Sequence, residues 1–152
     1  MEAILDRSPD LAELNVSYKH TSTIRKSVKG PPDVIDYLRA VWDENTLELR
    51  EDFYMLCLDG AHQITGWIRL FSGGISGCTV DPRIAFSTAL QAAAASVIFA
   101  HNHPSGSCLA SEDDRKVAKR LNECGELLGI KVLDHIILTK NGHNHFTDTR
   151  WR

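Results

Sequence analysis

Two stretches, "FYMLCL" at residues 53–58 and "VIFA" at residues 97–100, have no charged or strongly polar position between them. A strand with one face in water alternates apolar and polar side chains, so a short run without that alternation needs cover on both sides. Runs this short suit strands better than helices. The sequence therefore predicts a sheet with helices packed on both faces. The rest of the chain supplies them.

"GPPDVIDYLRAVWDEN" predicts a first helix, with Pro31 and Pro32 at its start and Val34, Ile35, Leu38, Val41 and Trp42 on one face. "DPRIAFSTALQAAAA" predicts a second, with Asp81 as N-cap and Pro82 at the first helical position. "SEDDRKVAKRLNECGELLG" predicts a third, capped by Ser111 and ended by Gly129. Val117, Leu121, Cys124, Leu127 and Leu128 form its expected buried stripe. "QITGWIRL" reads as the hairpin partner of the first buried strand, and "KVLDHIILT" pairs with "HNHFTD" around the turn "KNG". "SGGISG" is expected to be a mobile loop because of Gly73, Gly74 and Gly77. Together these give a mixed α/β layer fold. Residues 1–30 are polar and weakly patterned, with an edge strand expected at "LNVSY", so the predicted division is an N-terminal arm, 1–30, and one domain, 31–152.

Composition excludes several classes. The longest apolar stretch, "ALQAAAASVIFA", is interrupted by Gln91 and Ser96 and is too short to span a bilayer. "MEAILDRSPD" lacks the basic start and long apolar core of a signal peptide, so a cytoplasmic location is expected. Cysteines 57, 78, 108 and 124 show no CxxC spacing, which argues against a cysteine-built zinc knot and for a reducing compartment. Cys57 and Cys124 fall on apolar positions and read as small core residues. A net charge of −3 offers phosphate no strong overall field. The local exception is Lys19, Arg25, Lys26 and Lys29, read as a solvated arm.

Four of the seven histidines stand in two copies of His-Asn-His, at 101–103 and 143–145. His101 and His103 lie where the second buried strand ends, and alternate residues of an extended backbone point the same way. After a tight turn comes the helix that begins at Ser111, with Asp114 in its first turn. Two imidazoles and a carboxylate leave a fourth tetrahedral position open, as catalytic zinc requires. Ser111 with Asp114 also reads simply as a helix cap. His143 and His145 have no acid at helical spacing and are expected at the surface or in packing. His135, beside Asp134, reads as a satisfied core histidine able to support the site from behind. Neither triplet points to an HNH nuclease, whose three name-giving residues are spread over a long finger.

"HNHPSGSCLASEDD" resembles the metal motif of the JAMM (MPN+) metalloproteases: His-x-His, then Ser-x-x-Asp after seven residues. The wider segment "DPRIAFSTALQAAAASVIFAHNHPSGSCLASEDDRKVAKRLNECGELLGIKVLDHIIL" resembles the bacterial RadC family, over a match running from about residue 33 onward. The resemblance implies the JAB/MPN fold, a mixed sheet flanked by helices and similar in layout to cytidine deaminases. It also implies Zn²⁺ held by His101, His103 and Asp114, with a bound water whose pKa falls to about 7. In "REDFYMLCLD" Glu51 takes the family's glutamate position, with Asp52 as the competitor if the alignment slips by one. Glu51 would accept the water's proton and pass it to the leaving amine; Ser111 would donate to the water or to the oxyanion. The substrate implied is a peptide or protein, cut at an amide or isopeptide bond, with "SGGISG" as a flap. Ala110 stands where RadC proteins usually have Pro. Residues 1–30 are too short and too poor in paired glycines for the helix-hairpin-helix of longer members.

Two other readings accompany this one. The family name and the basic arm suggest a DNA-associated repair or mobile-element protein whose metal site acts on nucleic acid or is non-catalytic. A binding module that has lost its ligands is disfavoured, since all five expected residues are present. A nucleobase deaminase lacks the Pro-Cys-x-x-Cys that should follow the histidines. Edge strands in such folds invite homodimers.

Overall fold

The structure is a computed structural model that describes residues 26–146. The strand expected at "LNVSY" and the residues Lys19 and Arg25 lie outside the described residues. Nine elements follow in order: β1 (Lys26–Ser27), α1 (Pro31–Val41), β2 (Asp52–Leu58), β3 (Gln63–Ser72), α2 (Pro82–Gln91), β4 (Ser96–Asn102), α3 (Glu112–Leu128), β5 (Lys131–Leu138) and β6 (His143–His145). All strands join one sheet in the order β1-β3-β2-β4-β5-β6. Among the described strands only the β4–β5 pair is parallel.

The two alternation-free runs become β2 and β4, central neighbours in which every residue is buried. Their side chains divide by parity. Tyr54, Leu56, Leu58, Ile98 and Ala100 pack against Val34, Ile35, Leu38 and Trp42 from α1. Phe53, Met55, Cys57, Val97 and Phe99 pack against Ala85, Phe86 and Ala89 of α2 and Leu121 of α3. This is the two-sided sheet that the sequence predicts. Trp42 stacks on Tyr54 with ring centroids 4.0 Å apart, which fastens the end of α1 to the sheet.

A parallel pair cannot be closed by a tight turn, so the chain leaving β4 must cross over before entering β5. Helix α3 is that crossover, and its N-terminus returns to the end of β4. On β5 the pairing moves from Val97↔Val132 to Ile98↔Asp134, inserting Leu133 as an extra residue. Val132 faces α2 and α3 and Leu133 faces α1 by ordinary alternation; the bulge shifts the parity beyond them, so that Ile136 and Leu138 join Leu133 on the α1 side.

The helix ends differ from expectation in two places. Helix α2 stops at Gln91, and the alanines after it form a turn with Ala93 at φ 50°; a run of alanine does not specify where its helix ends. Leu127 and Leu128 are 87% and 44% exposed rather than buried, and the buried face of α3 is Ala118, Leu121 and Gly125. The last turn approaches β5 through its backbone: a Cβ on Gly125 would sit 2.5 Å from the Ile130 carbonyl oxygen. Leu127 falls about 200° around the helix from Gly125 and so points away from that contact. Gly129, at φ 70°, closes the helix as expected. No helix among the described residues is long and apolar enough to cross a membrane.

Gly125→Ala should therefore destabilise the domain by about 1–3 kcal/mol, the usual cost of overpacking against an obstacle that cannot move aside. Urea unfolding followed by circular dichroism tests this, and an unchanged midpoint would contradict the close approach.

Candidate metal centre

Alternation aims the centre. On β4, His101 shares the face of Val97 and Phe99, and just before β2 Glu51 lies two residues ahead of Phe53, on that same face. Phe53 is paired directly with His101 and their rings stack, with centroids 6.0 Å apart. The chain returns through α3 with Asp114 in its first turn. The ligand-type atoms of Glu51, His101, His103 and Asp114 lie within 4.8 Å of one another. Among the described residues this is the only cluster of its kind. All five residues singled out in the sequence are brought to one place.

Asp114 serves two structures at once. One carboxylate oxygen accepts the Ser111 backbone N–H at 2.7 Å, while the Ser111 hydroxyl accepts the Asp114 backbone N–H at 3.0 Å. That is a reciprocal capping box, so the helix-cap reading of these residues also holds. The same carboxylate lies 3.2 Å from His101 Nε2 and 3.4 Å from His103 Nε2. The cap thus locks the rotamer that faces the imidazoles. A hydroxyl carries one hydrogen and two lone pairs, so Ser111 keeps its hydrogen for donation.

The His103 tautomer is set by its surroundings. His103 Nδ1 lies 2.8 Å from the Ser107 carbonyl oxygen, which can only accept, so Nδ1 carries the hydrogen and the neutral ring turns a lone pair outward at Nε2. His101 Nε2 stands 2.9 Å from that atom. Two ring nitrogens this close, with two carboxylates around them, form a group that could hold a metal ion. The donor set, two imidazole nitrogens and carboxylate oxygens, suits zinc and several other divalent ions.

The electrostatics agree. Burial raises the Glu51 pKa; the two histidines oppose the shift and Asp114 adds to it. Asp114 is held well below the usual carboxylate range, because bonds to His101 and His103 outweigh the opposing effect of burial. Its hydrogen bond to His103 raises that histidine, against burial. Asp52, the competitor for the glutamate position, points to the other face. There it accepts from Thr46 Oγ1 at 2.8 Å and Arg50 Nε at 3.0 Å. Burial would raise its pKa, but bonds from Ser72, Thr46 and Arg50 outweigh that and lower it. Glu51, not Asp52, faces the cluster.

Asn102 is the functional-site residue that sequence reasoning passed over. Between two histidines it points to the opposite face, fully buried. Its Oδ1 accepts the Asp52 N–H at 2.7 Å, and its Nδ2 donates to the Leu47 and Arg50 carbonyls, both at 2.8 Å. Residues on either side of Glu51 are thereby tied to the histidine strand. The available signal was parity: an amide at a position that alternation turns into the core must find partners there. The glycine loop holds Glu51 from its other side, through Glu51 N–H to Gly74 O at 2.9 Å and Gly73 N–H to Glu51 O at 2.7 Å. The first part of the loop expected to be mobile is therefore anchored by backbone bonds.

A cleft of about 630 Å³ opens over the cluster between the loop at Ile75–Thr79 and the connector at His103–Ser111. Among the described residues its ionisable lining is Glu51, Cys78, Asp113, Asp114 and His103, with neither lysine nor arginine. Beneath the cluster is a chamber of about 20 Å³, room for about one water, walled by Phe53, Val80, Val117, His135 and Phe146. His135 is buried, and its Nε2 donates to Asn122 Oδ1 at 3.1 Å. Burial, with His101 adding, pushes its pKa down to about 3, so the ring is neutral. His143 and His145 do not join the cluster. His145 Nδ1 pairs at 2.6 Å with the buried Asp134, and His143 is exposed.

A six-stranded mixed sheet covered on both faces, with a histidine–carboxylate cluster at the mouth of its parallel crossover, defines a JAB-type domain. The family model for the RadC-like JAB domain matches residues 28–151, and the chain belongs to that family. It is 41% identical over 120 residues to a "UPF0758 protein" of Trichlorobacter lovleyi, covering 79% of this chain and 51% of the relative. A "UPF0758 protein" of Clostridium perfringens is 34% identical over 131 residues, covering 86% and 56%. One from Bacillus cereus is 40% identical over 114 residues, covering 75% and 49%. The chain spans about half the length of the curated relatives it matches.

Asn102→Ala should lower stability by roughly 2–4 kcal/mol, since it leaves one buried N–H and two carbonyls without a partner. Thermal and urea unfolding check this; a loss below about 1 kcal/mol would mean that the 47–52 segment is held by something else.

Proposed function

We propose that this chain is a zinc-dependent hydrolase of the JAMM type, acting on a peptide or isopeptide bond. The observation that carries the reading is the convergence of Glu51, His101, His103 and Asp114 beneath an open cleft. His101, His103 and Asp114 would hold the ion. When bound, zinc supplies Lewis-acid activation of a water and of the substrate carbonyl. Glu51 takes a proton from the attacking water and returns it to the departing amine. Burial next to the apolar Phe53 raises the basicity of Glu51, which favours that traffic. Ser111, its backbone fixed by the capping box, donates its hydroxyl hydrogen to the developing oxyanion.

The cleft chemistry supports the protein reading over the nucleic-acid one. Among the described residues the cleft lining beyond the ligands adds Glu51 and Asp113 and no lysine or arginine, which supports a neutral or basic polypeptide and offers a phosphate backbone no contact other than the ion itself. Lys26 and Lys29, the described part of the basic arm, do not line that cleft.

Elemental analysis of untagged protein should give about one zinc per chain, lost in Asp114→Ala and kept in His143→Ala. Glu51→Gln should retain the zinc while peptide hydrolysis drops by roughly 10²–10⁴-fold, the range for loss of a general base. The substrate screen is a proteome-derived peptide library read by mass spectrometry. Absence of metal in the wild type, or equal hydrolysis by Glu51→Gln, would sink the proposal; retention on DNA at moderate salt with no peptide cleavage would favour the nucleic-acid reading.

A further inference from the structure

The second His-Asn-His triplet repeats the residues of the first without joining its cluster, and its middle residue faces the other way. One row runs across the sheet: Phe53 pairs with His101, His101 with Ile137, and Ile137 with Asn144. Directly opposed residues share a face, so Asn144 is on the side of the sheet that carries the metal cluster. There its Nδ2 donates to the Cys108 carbonyl oxygen at 2.9 Å.

Cys108 lies in the connector between the two halves of the cluster, with His103 at one end and Ser111 and Asp114 at the other. Most hydrogen bonds of this connector are internal: Gly106 N–H to His103 O, Ser107 N–H to the Ser105 hydroxyl, Leu109 N–H to the Ser107 hydroxyl, and His103 Nδ1 to Ser107 O. Among the described residues, the middle of the connector is tied to the rest of the protein at Cys108. The ties are Asn144 and a weaker contact of 3.5 Å between Cys108 Sγ and Thr139 Oγ1. The carbonyl that fixes the His103 tautomer belongs to Ser107, one residue before Cys108.

Asn144 is itself on a firm base, although β6 has only three residues. His145 anchors it to the buried Asp134 at 2.6 Å. Arg39, from α1, donates to the Thr139 and Gly142 carbonyls in the β5–β6 turn at 3.2 and 2.9 Å. A short strand held at both ends makes a strut, and its one inward amide reaches the connector.

We propose that Asn144 is a positioning residue of the metal centre: by holding the Cys108 carbonyl it fixes the connector so that Ser107 orients His103. The inference rests on the metal-centre reading above. It gives the second triplet a role in the chemistry of the first, with no ligand of its own.

The test uses Asn144→Asp, which keeps the shape but sets a carboxylate against a carbonyl, and Asn144→Ala. Zinc affinity is measured by competition with a chromophoric chelator, and ligand geometry by the visible spectrum of the Co²⁺-substituted protein. Both variants should bind zinc about 10-fold or more weakly, as removal of a group behind a metal ligand does, and should shift the cobalt bands. His143→Ala should change neither. Wild-type affinity and spectrum in both variants would overturn the inference and leave the metal reading intact, whereas a wild type that takes up no zinc would overturn both. Unfolding of both variants without metal would also overturn it, since Asn144 would then support the hairpin and not the connector.

Discussion

Parallel pairing of β4 with β5 is the constraint on which the rest of the molecule depends. Parallel neighbours need a long crossover, and the right-handed route carries it over one face of the sheet. The crossover here is α3, whose first turn must lie beside the exit from β4. His101 and His103 stand at that exit. Asp114 therefore meets the two histidines because of strand direction, across a connector of only a few residues. Antiparallel pairing of β2 with β4 then brings Glu51 to the same end.

Alternation divides the work around this point. The outer residues of the first triplet face the cluster, and Asn102 between them faces the segment that carries Glu51. In the second triplet His145 faces away, onto Asp134, while Asn144 faces the connector. In both, one amide ties a loop to a strand. Imidazoles and amides sit on opposite faces of the same short strand because the side-chain period is two.

The carboxylates near the centre are kept apart by the same rule. Asp52 and Asp134 are buried on the α1 side, each with its own cationic or hydrogen-bonding partner. Glu51 and Asp114 are on the other side and have the histidines as neighbours. A buried carboxylate with a private partner is a structural group. Two that share a pair of imidazoles under an open cleft form a group that could hold a cation.

Much of this was legible in the sequence. Runs without alternation determined that the sheet would be covered on both faces, and Asp81, Pro82, Ser111 and Gly129 marked helix ends through local chemistry that needs no tertiary context. The motif residues His101, His103, Ser111 and Asp114 were equally legible, because strand alternation and a capping box are local rules; Glu51 was legible only through the family resemblance. What only the tertiary structure decided are the contacts between distant segments: which acid, Glu51 or Asp52, turns to the cluster, what Asn102 and Asn144 hold, and why Leu127 and Leu128 stay in water. The reason is physical. Capping and alternation act over a few residues, while the close approach of Gly125 to Ile130 and the reach of Asn144 to Cys108 depend on where whole elements pack.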